Sequence, residues 1–544
     1  MKTKILVVVF LILFSLGCIN QKEAISNDTL KDTSNDIVKH NIKISSIIFT
    51  RTGIFADAKD IKDIIKAEVH EAGRKMEVQI DNDGKGLFIN FNWGPNKKYE
   101  IKITTAQGNI SSVAYSPGKP TAFKRYEIAL EKVEPGNINR TIQNVKGTVR
   151  FSPDSRLLAV GTHGGYIRIL RLNTGEIIFE KKISEGMISD VAFSQDGKYL
   201  FVAERSPDAF LYTFEVISGK EKWRLRAAND LGTDIKGNIY TSLNAAGDKI
   251  FFTASRVSKS ADGKYYYKSK VYALDHEGQL LWSFPVNEIM DSGISSQNTA
   301  IQNYFAFGTS SVTPGKKYKE GTIYVLDAEN GTIHWNYTIS PLLPYFDSVI
   351  VSSVALSESG KTGIAVDGRA FLYENNTRLR QLNLSTPIEI SGVPILGSVN
   401  RAYFIKDSVI FSIGSTYVPS KIKKKAPIEH PNSNSIAAYD LNGSLLWKWR
   451  IEGYSPELAL GKRFLVVPVA QNTVTVNPDV HGIYVFDLKQ PGGAASKLAY
   501  IYKTRGIVVA GDISKDERYI AAVEAPVRLE DGSVIGEYKV HVLN

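Results

Sequence analysis

Apolar and polar residues alternate with a period of two along most of the chain beyond residue 40, and helical periodicity is scarce. Short alternating runs at 42–49, 76–80, 87–91, 99–105 and 110–115 are parted by turn signals. These are Asn82-Asp83-Gly84, Gly94-Pro95-Asn96 and Gln107-Gly108-Asn109. Only residues 60–72 fit a helix here. The pattern predicts a small β-sandwich-like domain over 40–120. Pro117, Pro120 and Pro135-Gly136 then mark a boundary region.

Beyond this boundary the chain is repetitive. One motif reads Asp327-Ala-Glu-Asn-Gly331-Thr-Ile-His-Trp335 and recurs at Asp275, Gly278 and Trp282, and at Asp440, Gly443 and Trp447. Weaker copies carry Glu215, Gly219 and Trp223, or Arg171, Gly175 and Phe179; the copy near Glu374 is degenerate. With Asp487 and Asn544, eight phase markers recur about every 53 residues, a spacing suited to four-stranded blades. In each copy a strand meets a tight turn that needs Gly for positive φ and Asp for a local hydrogen bond. The outgoing strand carries a Trp able to pack between blades. A second ladder, Phe151-Ser-Pro-Asp154, Phe193-Ser-Gln-Asp196, Leu356-Ser-Glu-Ser359 and Ile513-Ser-Lys-Asp516, marks the turn after each innermost strand.

The Asp-x-x-x-Gly-x-x-x-Trp copies resemble the repeat of pyrroloquinoline-quinone (PQQ)-like eight-bladed propellers. The Phe-Ser-x-Asp turns resemble those of WD40-like propellers. The resemblance covers roughly 140–544. It implies an all-β fold with an eight-bladed β-propeller over 121–544, or seven blades if the copy near Glu374 forms none. A strand within 126–144 is expected to complete the last blade, because a ring leaves no free sheet edge. The segment 98–108 resembles the last hairpin of a fibronectin type III (Fn3) or immunoglobulin-like sandwich.

The N-terminus sets the expected location. Lys2 and Lys4 precede an apolar run at 5–16, too short for a comfortable span but suited to a signal peptide. Ser15-Leu16-Gly17-Cys18 resembles a lipobox, departing from its pattern at Ser15, so 1–18 reads as a lipoprotein signal peptide with Cys18 lipidated. An uncleaved signal anchor and plain secretion are the alternatives. The polar stretch 19–39 reads as a flexible tether. Cys18 is the single cysteine, so no intramolecular disulfide can form. The net charge of +10 is dispersed, which argues against nucleic acid and fits an anionic envelope partner.

Catalytic motifs are not found. Quinoproteins of the resembled repeat typically use a vicinal disulfide, which one cysteine excludes, so PQQ is not expected. The eight histidines are scattered without metal-ligand spacing. The turns at 260–263 and 472–479 are compatible with a structural calcium ion, though neither has the carboxylate run of a dedicated site. Long loops on one propeller face carry Lys259, Lys316, Lys317, Lys421, Lys423, Lys424 and Lys425, which are the candidate binding residues. The expected function is an envelope-anchored scaffold lipoprotein that binds protein or anionic polymer. The lipoprotein subunit of the outer-membrane β-barrel assembly machine is a precedent in the resembled family, without this chain's N-terminal domain. The alternative is an exported enzyme, a degenerate quinoprotein or a hydrolase or lyase, working in the central funnel.

Overall fold

The computed structural model describes residues 44–544 except 45, 58–62, 83–85, 107, 139–144, 234–236, 260–264, 287–292, 295–298, 313–318, 350, 420–421, 471–473 and 475. Cys18, the tether, Lys316, Lys317 and Lys421 lie outside the described residues. Two four-stranded sheets form the N-terminal sandwich. One has the order Ser46–Thr50, Gly53–Asp57, Leu87–Asn90, Gln79–Asn82; the other Arg74–Lys75, Ile64–Glu71, Lys98–Thr105, Gly108–Tyr115. Phe49, Ile54 and Ile89 of the first sheet share one core with Val69, Tyr99 and Ile101 of the second.

The helix expected over 60–72 is a strand, Ile64–Glu71. Ala67 and Val69 alternate inward and pair with Ile103 and Ile101. Glu68 points outward, where Lys66 and Lys75 bind it. Cross-strand burial overrides the local helix expectation in a segment without Gly or Pro.

From Thr148 to Leu543 the described residues form eight successive antiparallel sheets, the first seven each a meander of four principal strands and the eighth contributing three. Innermost strands of neighbouring sheets touch, and Ile507–Ile513 returns to Thr148–Phe151, which closes the ring of a β-propeller. The degenerate copy near Glu374 builds its own sheet, from Val351–Leu356 to Thr377–Asn383. Lys124–Ala129 pairs antiparallel with Lys539–Leu543 and completes the eighth sheet. The strand starts two residues before the 126–144 window.

Both sequence ladders have clear local causes. In the inner turns Ser152, Ser194 and Ser514 each donate to Asp154, Asp196 and Asp516 at 2.6–2.7 Å. The same hydroxyls accept the N–H of Leu157, Tyr199 and Tyr519. In the outer turns Asp275 accepts the N–H of Gln279 and Asp327 that of Asn330, while Gly278 and Gly331 take φ of +84° and +71°. These glycines also lock the blades. Trp223 Nε1 donates to His276 O and Trp282 Nε1 to Ala328 O, both at 3.0 Å, so each indole lies on the next sheet's glycine turn. A Cβ on Gly331 would sit 2.5 Å from Trp282 Cδ2, where only hydrogen fits. Where the repeat degenerates, Trp335 stacks on Tyr373 at 5.6 Å, and Asn375 and Asn376 adopt positive φ.

The sandwich is fastened to the ring. Phe123 packs on Phe55 and Phe88. Asp81 accepts from Arg125 at 3.0 Å and from Tyr519 at 2.6 Å, and the Arg125 guanidinium lies 3.6 Å from the Phe88 centroid. Asn544 Nδ2 donates to Thr50 Oγ1 at 2.9 Å.

Candidate functional site

The innermost strands enclose a cavity of about 510 Å³ on the ring axis. Its charged lining comes from four residues, three within strands and one just before a strand. Arg150 and Asp512 each precede the last residue of their strand, Phe151 and Ile513. Asp190 stands three residues before Phe193, and Glu457 two before the strand Ala459–Leu460. Arg150 Nη2 lies 2.9 Å from Glu457 and 3.6 Å from Asp190. The side chains of Asp190 and Glu457 retain 18% and 19% exposure, so the cluster faces the cavity.

These groups also tie blades together. Asp512 accepts the N–H of Phe151 at 2.9 Å across the first and eighth sheets. Asp190 accepts that of Leu243 across the second and third at 3.4 Å. Burial pushes Asp190 and Asp512 up to about 6, although Arg150 pulls both down. Burial opposes the charge of Arg150, but Glu457, Asp190 and Asp512 outweigh it and hold the guanidinium above its ordinary range. Three carboxyls around one cation make this a polar pocket able to donate or accept a proton near pH 6. The ladder residues Phe151 and Ile513 could have pointed to Arg150 and Asp512, which immediately precede them.

Basic groups gather at the end of the axis where the second-to-third strand loops emerge. Lys146 enters the first strand of the ring, and Arg205 ends a second strand before such a loop. The Arg205 guanidinium stacks 3.8 Å from the Tyr240 centroid. Burial lowers Lys146, and Arg401 and Arg205 lower it further, with Glu457 opposing. The Lys146 carbonyl is fixed by the Tyr538 hydroxyl at 2.7 Å.

The lysines expected from sequence to bind a partner fall into two groups. Lys423, Lys424 and Lys425 are exposed beyond the strand Ser408–Tyr417. Lys259 ends the long strand Lys249–Lys259, which pairs with Tyr265–Asp275. The structure does not bring Lys423–425 into the axial cavity lining. The loop expected over 415–434 is largely integrated. His430 is 4% exposed; its ring contacts Ser385 Oγ at 2.9 Å and Thr386 O at 3.1 Å, and Asn432 Nδ2 donates to Leu384 O. Buried polar atoms need partners, and here they staple the fifth sheet to the sixth. Only the tip around 422–428 faces solvent broadly. His276 and His334 pack on Phe201 and Tyr304. The turn at 260–263 lies outside the described residues, as do 472, 473 and 475. Among the described residues no three His, Cys, Asp or Glu are grouped to hold a metal, and no helix is long and apolar enough to cross a membrane.

Residues 163–343 match the family model described as outer membrane protein assembly factor BamB. Among solved structures, BamB from Moraxella catarrhalis is 12% identical, with 78% of this chain and 100% of that chain covered at a TM-score of 0.47. Sqt1 of Saccharomyces cerevisiae is 11% identical, with 78% and 98% covered at 0.48. The C-terminal WD40 domain of Sif2 is 15% identical, with 77% and 98% covered at 0.46. The second through fourth sheets, which carry two of the three full Asp-Gly-Trp copies, fall within the residues that match the BamB family model.

Proposed function

We propose that this chain is an envelope-anchored, protein-interaction scaffold, lipidated at Cys18, that meets an acidic protein face or anionic polymer with the loop-bearing end of its propeller. The observation carrying this reading is the basic character of that end, where Arg205 closes a second strand and Lys423, Lys424 and Lys425 are exposed beyond the strand Ser408–Tyr417. These exposed lysines extend the same charge. Clustered cations on a rigid frame raise the local concentration of an anionic partner and steer its approach. The matched family description, an outer membrane assembly factor, supports an envelope location and protein partners. The N-terminal sandwich acts as an accessory domain of Fn3 or immunoglobulin type, held to the ring through Asp81 and Arg125.

The test is charge reversal rather than loop deletion, since deleting 415–434 would remove the buried His430 staple. Lys423→Glu, Lys424→Glu and Lys425→Glu together leave buried groups untouched. The triple variant is expected to lose partners recovered from native membranes at low salt, where wild type keeps them. Unchanged recovery at every salt concentration overturns the loop-face reading.

A second reading, an exported hydrolase or lyase, is favoured by one observation: Asp190 and Asp512, both up to about 6, share the axial cavity with Glu457. It predicts turnover of a polar substrate that Asp190→Asn abolishes without loss of fold.

A further inference from the structure

Between the sandwich and the ring lies a second, smaller cavity of about 100 Å³. Arg51, in the turn between the first two sandwich strands, forms part of its floor and is 4% exposed. None of its three guanidinium nitrogens has a hydrogen-bond partner. Its visible compensation is the Phe464 ring, 4.6 Å away, and the neighbouring Tyr500 hydroxyl, which interacts with the guanidinium but falls short of strict hydrogen-bond geometry. The carboxylates near enough to influence it are engaged elsewhere. Glu517 accepts the N–H of Arg463 and Phe464, and Asp516 binds Arg518. A buried cation left in this state is costly unless something anionic reaches it.

The other hydrogen-bond donors around the cavity are committed. Arg463 Nε and Asp487 Oδ1 are 2.9 Å apart, so that pair is neutral. Lys119 Nζ donates to Ala495 O and Leu498 O, and Lys497 Nζ to Leu488 O and Gln490 O. One guanidinium, with five donors in a planar fork, remains uncommitted. Exposed Lys119 and Ser496 rim the cavity, while the guanidinium nitrogens beneath are shielded from bulk solvent.

We infer that this cavity is a binding site for one carboxylate group, held by the fork of Arg51. The planar fork and the small volume favour a group with two coplanar oxygens over a tetrahedral phosphate. The site is independent of the scaffold reading, because it lies at the sandwich junction and uses none of the loop lysines.

The experiment titrates the full chain with isotope-labelled acetate at constant chloride-balanced ionic strength and follows acetate line broadening by NMR. Parallel arms use inorganic phosphate and a capped tripeptide with one central Glu. Saturable acetate binding is expected at about 1–10 mM, the range open to a single charge pair. Tripeptide binding in the same range identifies a protein side chain as the natural source; acetate binding alone identifies a free small carboxylate. Arg51→Met is expected to lose the response and to melt above wild type in chloride, because an uncompensated buried cation is gone. Ser496→Glu, on the exposed rim, hangs a carboxylate over the site and is expected to block acetate with the fold intact. No saturation by acetate or tripeptide at about 50 mM, tighter binding of phosphate than acetate, or an undiminished acetate response in Arg51→Met overturns the proposal.

Discussion

Gly331→Ala tests how the blades hold each other. The new Cβ meets two costs. At φ +71° the left-handed backbone disfavours any side chain, by about 1–2 kcal/mol. The Cβ also lies 2.5–2.6 Å from Trp282 Cδ2 and Cε3, rigid ring atoms pinned by the hydrogen bond to Ala328 O. Forcing that overlap costs about 1–3 kcal/mol more. Gly247 separates the two terms: its φ is +62°, and an added Cβ meets nothing within 4 Å. Gly247→Ala should therefore cost about 1–2 kcal/mol and Gly331→Ala about 2–5. Urea denaturation at neutral pH, followed by tryptophan fluorescence, gives both values. In a Trp282→Ala background the Gly331→Ala penalty should shrink to that of Gly247→Ala, a coupling of about 1–3 kcal/mol. Equal costs for the two glycines, or additivity with Trp282→Ala, would refute the inter-blade lock.

The charge arrangement gives three further expected outcomes. Asp512→Asn is expected to stabilise the chain by about 1–3 kcal/mol at pH 7.5. The carboxyl titrates near 6 when folded and near 3.8 otherwise, so its ionised form burdens the fold above pH 6. The gain should shrink as pH falls through 6 and vanish near the ordinary carboxylate value in paired pH melts. Glu524→Gln is expected to cost about 1–3 kcal/mol at pH 7, because Glu524 is 2% exposed and accepts from Gly506 N–H and contacts His541 at 2.6 Å. Burial pushes Glu524 up, but these bonds hold it below its ordinary value. Its contribution is therefore present above the unfolded-state value and lost as pH falls through the folded one, which denaturation at pH 7 and pH 3 will show. Asp81→Ala leaves Arg125, whose side chain is 1% exposed, without its carboxylate. A loss of about 3 kcal/mol is expected, with a larger radius of gyration by small-angle scattering as the sandwich loosens.

What could be read from sequence tracks what is chemically unusual. Gly at positive φ, Asp in a tight turn and Trp on an outgoing strand are few and phased, so the blades show through at Asp327-Gly331-Trp335. The Ser-Asp inner turn is visible for the same reason. The 60–72 segment misleads because it holds no Gly or Pro to punctuate it, whereas Ala67 and Val69 are set by pairing with a strand more than thirty residues away. The basic loop at 415–434 looks solvated by composition, yet Ser385 and Leu384, far along the chain, bury His430 and Asn432. Arg150, Asp190 and Asp512 are isolated charges in separate strands and Glu457 one just ahead of a fourth, and only closure of the ring makes them neighbours. Arg51 leaves no signal in the sequence at all, since its lack of a partner is a property of the assembled junction.

The central functional claim is that the loop-bearing, basic end of the propeller receives the partner. A photo-crosslinking side chain at Lys424, and another at Asn330 in an outer turn on the opposite face, can be compared in native membranes. The account predicts a discrete protein or polymer adduct at position 424, weakened by high salt, and none at position 330. Adducts confined to position 330, or a yield at 424 indifferent to salt, would contradict it.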